Sequence, residues 1–90
     1  MLKITTQTDT IGTTFELEGR LTGAWVKELK DCWEGARKSG REVSVSLKAV
    51  TFIDGAGKTL LILMHRHGVK LTADGCMTKA IVEAITRGEN

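Results

Sequence analysis

Val50-Thr51-Phe52-Ile53-Asp54-Gly55-Ala56-Gly57-Lys58-Thr59-Leu60-Leu61 is the segment from which the rest of the chain can be placed. It runs from the end of a strand, through a short glycine-rich turn, into the most apolar helix of the sequence. Its glycines fall at the helix start, where unpaired backbone N–H groups and the positive end of the helix dipole favour an anion or an acidic partner group. Asp54 is placed to cap that helix, or to approach the same N–H groups from the loop. Gly57-Lys58-Thr59 imitates the end of a phosphate-binding P-loop. That motif needs a glycine five residues before its second one, and Phe52 stands there. Without it the backbone cannot wrap a phosphate chain, so a nucleotide-hydrolysing loop is excluded.

Downstream of this segment, residues 57–67 read as a helix that is apolar almost all round between Leu60 and Met64, stopped by Gly68. Val69 and Leu71 then alternate with Lys70 and Thr72 as a fourth strand. A last helix sets Met77, Ala80, Ile81, Ala84 and Ile85 on one face, with Lys79, Glu83 and Arg87 as a charge ladder on the other. Upstream, Val43, Val45 and Leu47 alternate with Ser44 and Ser46 as the third strand. Before it, residues 24–38 follow helical period, with Trp25, Leu29, Cys32, Trp33 and Ala36 on one stripe. Thr22 is the expected N-cap of this helix and Ser39-Gly40 its end. At the start, residues 2–7 and 13–21 alternate across the turn Asp9-Thr10-Ile11-Gly12 and predict an antiparallel hairpin.

The element order is therefore β-β-α-β-α-β-α. Each strand is apolar on one face and polar on the other, whereas a sheet covered on both sides would show continuous apolar runs. The expected fold is an α/β two-layer sandwich. Its four-stranded mixed sheet has strand order 1-2-3-4, reached by two right-handed crossovers, and all three helices lie on one face. Ninety residues suffice for one such domain, spanning 1–90. No linker or repeat divides them.

Composition narrows the function. With 41% hydrophobic and 27% charged residues the chain has the balance of an ordinary globular protein. The net charge of +2 is spread among mixed charges and includes no basic run, which argues against a nucleic-acid partner. The first residues carry no apolar signal segment, and the run from Leu60 to Met64 is far below the ~20 residues that cross a bilayer. A soluble, cytoplasmic protein without direct membrane insertion is expected. Cys32 and Cys76 fit no zinc or CxxC pattern, and Cys32 reads as a small buried hydrophobe in a reducing compartment. His65 and His67, two apart on a helix, point in different directions and suggest no metal pair; basic residues simply suit a helix C-terminus. Trp25 and Trp33 lie eight apart on the apolar stripe as core residues, Trp25 near enough to the helix start to approach a partner surface. No nucleophile–base or paired-carboxylate arrangement is present, so neither an enzyme nor a cofactor is expected.

The apolar strand end closed by Asp54, followed by small residues and an apolar helix, resembles the signature of STAS domains. These occur in bacterial anti-sigma-factor antagonists and at the ends of sulfate transporters. Val50 to Asp54 matches the strand half, and Gly57, Leu60 and Leu61 match the helix half. Gly19-Arg20-Leu21 and Gly68-Val69-Lys70-Leu71 resemble the family framework, so the likeness extends over nearly the whole chain. It implies a non-enzymatic signal-transduction module, acting in transcription regulation, that binds a kinase-like anti-sigma factor or a multi-protein assembly. The contact would be made through Asp54, Gly55, Ala56, Gly57 and Lys58, and the resemblance leaves a homodimer open. In regulated members the second residue after the aspartate is a phosphorylated serine. Here it is Ala56, which has no oxygen to accept phosphate, and Gly55 stands at the preceding serine position. Phosphorylation would add about −1.5 to −2 charge to a contact surface, and that means of release is missing.

Two further readings follow from the same departure. The chain could serve as a structural STAS subunit of a membrane lipid-transport complex, or as a small-ligand or nucleotide sensor using the helix N-terminus. Lys58 opposes the helix dipole and is expected to pair with Asp54 or to contact an acidic partner. Thr51 and Thr59 supply hydroxyls nearby, although neither occupies the phosphorylated position.

Overall fold

The computed structural model describes residues 2–73 and 76–87, with 76–78 as backbone only. Along the chain lie β1 (Leu2–Thr8), β2 (Gly12–Leu21), α1 (Ala24–Arg37), β3 (Glu42–Ile53), α2 (Gly55–Arg66), β4 (Lys70–Thr72) and α3 (Cys76–Thr86). The sheet order is β1-β2-β3-β4, with β1 antiparallel to β2 and the other neighbours parallel. This is the mixed four-stranded sandwich expected from the alternation.

The hairpin is fixed by Asp9. Its Oδ1 accepts from the N–H groups of Ile11 at 2.8 Å and Gly12 at 2.9 Å, an Asx turn that sends the chain straight back. Gly12 also begins the parallel pairing with Glu42, and a Cβ there would collide with the Glu42 carbonyl.

One face of the sheet is dry. Phe15, Leu17 and Leu21 from β2 meet Val43, Val45, Leu47 and Val50 from β3, with Leu2 and Leu71 at the edges. The step from Leu47 to Val50 breaks strict alternation because β3 bulges there, and a second bulge follows directly after Val50. Between the Glu16–Ser46 and Glu18–Ala49 pairs β3 carries one extra residue, and it carries another between Gly19–Val50 and Arg20–Phe52. Bulges bend a strand and strengthen its twist. Here they make β3 a continuous twelve-residue strand, longer than its alternating stretch suggests, and leave Val50 buried and Phe52 exposed.

Against this face α1 buries Leu29 and Trp33, with Trp25, Val26, Cys32 and Ala36 half-buried beside them. Cys32 is thus at the edge of the core rather than inside it. α2 packs against both α1 and α3, which accounts for its nearly continuous apolar surface; it buries Leu60, Leu61 and Met64. In α3 the buried positions are Val82 and Ile85, with Ile81 and Ala84 half-buried and Ala80 exposed. The expected stripe is therefore rotated toward Val82, because α3 meets α2 as well as β3 and β4. The side chain of Met77 lies outside the described residues. The charge ladder is also corrected: Arg87 Nε donates to the Glu83 carbonyl at 3.3 Å, and the ion pair found among the described residues is Lys27–Asp31. Among the described residues no helix is long and apolar enough to cross a membrane.

Candidate functional site

β2 and β3 end side by side, so the starts of α1 and α2 come together at the same edge of the sheet. Asp54 joins them. It sits in extended conformation as the N-cap of α2, and its Oδ1 accepts from the Gly57 N–H at 2.7 Å. Its Oδ2 accepts from the Gly23 N–H at 3.1 Å, at the start of α1. The expected Thr22 cap does not form. The chain turns sharply after Leu21, Gly23 takes the N-cap position with φ +54°, and the donor there is satisfied by Asp54. Thr22 contributes only its carbonyl, which accepts from the Trp25 N–H at 3.1 Å. The Gly57 N–H, and then the Gly23 N–H, hold the Asp54 carboxyl below its usual range because they bond its ionised form.

The backbone of this loop is equally tied. Asp54 N–H donates to the Leu21 carbonyl at 3.2 Å, and Lys58 N–H donates to the Asp54 carbonyl at 2.9 Å. Gly57 is buried where the first turn of α2 crosses the end of β2. A Cβ on it would lie 2.9 Å from the Leu21 carbonyl oxygen and 3.0 Å from Ile53 Cγ2. Of the candidate residues, then, Asp54 and Gly57 are built into the joint between helices and sheet.

Gly55 and Ala56 are exposed and Lys58 is half-buried. Lys58 forms no ion pair with Asp54, whose oxygens are occupied by backbone donors. Thr59 Oγ1 donates to the Gly55 carbonyl at 3.0 Å and Thr51 Oγ1 to the Gly19 carbonyl at 3.2 Å; both residues are exposed. Beside them lies a feature that alternation alone did not single out. Phe52 is 41% exposed, and the Arg20 guanidinium lies 5.2 Å from its ring centroid. The second bulge produces this pair by setting Arg20 opposite Phe52, and bulges leave little trace in a sequence. Neither α1 nor α2 has an acidic residue in its first turn, while Lys27 and Lys58 stand there. The resulting surface combines small residues, one exposed aromatic ring and the cations Arg20 and Lys58, while Lys27 pairs with Asp31 and the Asp54 carboxylate is already hydrogen-bonded. Such a surface can receive a partner group, and it presents no nucleophile paired with a base.

No family model matches the sequence, and no curated protein matches it. Solved structures do match in shape. One is described as Mglu, with a TM-score of 0.62 and 19% identity over 79% of this chain; the present chain spans only 19% of that one. Another is an uncharacterised protein of the DUF3478 family from Shewanella loihica PV-4, described as having a SpoIIAA-like fold. It has a TM-score of 0.62 and 13% identity, covering 98% of this chain and 79% of its own. At these identities the likeness is one of fold, and the fold of this chain is SpoIIAA-like.

Proposed function

We propose that this chain is a protein-binding module similar to an anti-sigma-factor antagonist, and that its contact surface is the segment from Thr51 to Thr59 with the first turn of α2. The observation that supports this best is the exposure of Gly55 and Ala56 on a turn that Asp54 fixes, capping α2 through the Gly57 N–H and tying it to α1 through the Gly23 N–H. A rigid, capped helix start with small side chains admits close approach of a partner backbone. The partner is a kinase-like anti-sigma factor or a larger signalling assembly. Binding is not switched by phosphate at position 56, since alanine offers no acceptor oxygen.

Ala56→Asp tests this reading. A carboxylate in the first turn of α2 is favourable to the helix dipole by about 0.3–1 kcal/mol, so the variant should fold at least as well as the parent. Pull-downs from the native cell with parent and variant should then differ, with the variant capturing less of the partner that the parent enriches. Equal capture by a folded variant would place the interface elsewhere. Enrichment of membrane-transporter subunits would instead favour the structural-subunit reading, and a thermal shift with GTP or ATP the nucleotide-sensor reading.

A further inference from the structure

At the other end of β3 the last turns of α1 and α2 and the start of the strand enclose an open cleft of about 330 Å³. Trp33 and Val43 supply apolar wall, while Arg37, Arg41, Glu42 and His67 supply the polar groups. Volumes of this order suit a small organic molecule.

Basic residues at helix C-termini ordinarily answer exposed carbonyls. Here the backbone meets much of that need: Ser39 N–H donates to the Ala36 carbonyl, Gly40 to Arg37, His67 to Leu63 and Met64, Gly68 to His65 and Val69 to Met64. The Arg37 guanidinium instead lies over the Trp33 ring, 4.9 Å from its centroid. Arg41 commits one nitrogen, donating to the Asp9 carbonyl at 3.3 Å. Among the described residues neither arginine has a carboxylate partner, although Glu42 shares the cleft. The His67 ring packs on Trp33 at 5.6 Å between centroids. Trp33 is 1% exposed, and its Nε1–H has no acceptor among the described residues. The cleft is thus lined by two guanidiniums rich in donors, an imidazole and the wall of Trp33, whose indole N–H is unpartnered, but by one carboxylate. A surplus of fork-shaped donors over an aromatic wall is the chemistry that recognises planar or tetrahedral oxyanions.

We propose that this cleft is a binding site for a small molecule carrying a carboxylate or phosphate group, held by Arg37 and Arg41. The bound anion draws Arg37 off the Trp33 ring. The site is independent of the partner surface, which lies at the opposite end of β3.

Two-dimensional ¹H–¹⁵N spectra of the intact chain test this by titration with inorganic phosphate, with benzoate and with sodium chloride at matched ionic strength. Phosphate or benzoate should give saturable shifts of the Trp33 indole N–H and the Gly40 and Gly68 amides, while chloride should not. A response to one anion alone would assign the site to that chemistry. Arg37→Gln loses the contact with the Trp33 ring, so the folded variant should melt a few degrees below the parent, and it should weaken the response about tenfold or more, the worth of a charge-assisted hydrogen bond. Absence of saturable shifts, equal shifts with chloride, or an undiminished response in a folded Arg37→Gln variant would overturn the proposal.

Discussion

Gly55 and Gly57 sit two residues apart in the first turn of α2, yet alanine should act on them with opposite signs. At Gly55 a Cβ meets nothing within 4 Å and the backbone is not left-handed. Alanine there reduces the freedom of the unfolded chain and should stabilise by about 0.4–1 kcal/mol. At Gly57 the same Cβ meets the Leu21 carbonyl oxygen at 2.9 Å, Ile53 Cγ2 at 3.0 Å and Leu21 Cγ at 3.1 Å. The nearest atom is backbone, and it already accepts the Asp54 N–H at 3.2 Å, so it cannot retreat without loosening the loop. Overpacking of this kind costs about 1–3 kcal/mol, and the helix preference for alanine returns at most about 1 kcal/mol. Because the nearest atom is backbone and cannot give way, the upper half of that range applies, about 2–3 kcal/mol, and a net loss of roughly 1–2 kcal/mol remains. For a domain of this size each kcal/mol moves the melting temperature by about 4–8 °C. Calorimetry should therefore show Gly57→Ala melting roughly 5–15 °C below the parent and Gly55→Ala at or above it. If Gly57→Ala melts with the parent or above it, the close packing of α2 on the end of β2 is refuted.

Other outcomes follow from the same packing and charge. Leu61→Ala, at a fully buried position between the helix layer and the sheet, should cost about 2–5 kcal/mol in urea unfolding. Asp54 has its folded pKa below the ordinary 3.8, so the stability it adds is present above that pH and is lost as pH falls through the folded value. Asp54→Asn keeps an oxygen for capping but does not titrate; its stability relative to the parent should therefore rise on acidification below about pH 4, and a constant difference across pH would contradict the assignment. Phe52→Ala removes a ring that is 41% exposed and carries the Arg20 guanidinium, so the melting temperature should fall by several degrees while the folded variant loses partner capture. Phe52→Leu, which keeps most of the buried area, should lose capture with a smaller melting shift.

The fold was legible because burial on one face leaves a period in the chain. Phe15 and Leu17, or Val43, Val45 and Leu47, repeat every second residue, and Trp25, Leu29 and Trp33 repeat at helical spacing. What escaped were features without a period. The bulges in β3 depend on pairing with β2, so nothing in residues 48–53 alone reveals that Val50 turns in while Phe52 turns out. In α3 the small residues Ala80 and Ala84 are compatible with either side of the helix, and contact with α2 settled the face in favour of Val82. Thr22 is a good capping residue by type. The turn after Leu21, however, required a positive φ that glycine supplies, and a carboxylate thirty-one residues away completed the cap.

That distant cap also changes how the candidate site must be probed. Asp54 stands at the centre of the motif and would be the first residue to mutate in a search for a partner. Its two oxygens, however, hold the starts of α1 and α2, and its backbone holds the end of β2. Losing that carboxylate would shift both helices relative to the sheet, and partner capture would fall whether or not Asp54 touches the partner. Gly57 shares the difficulty, because its missing side chain is a packing requirement. Ala56, Lys58 and Phe52 carry no such duty: their side chains cap no helix in this joint, and Ala56 and Phe52 reach solvent. A loss of binding at Ala56 with an unchanged melting temperature, or at Phe52 in a variant that stays folded, therefore reports on the interface. The same loss at Asp54 reports only on the joint that positions it.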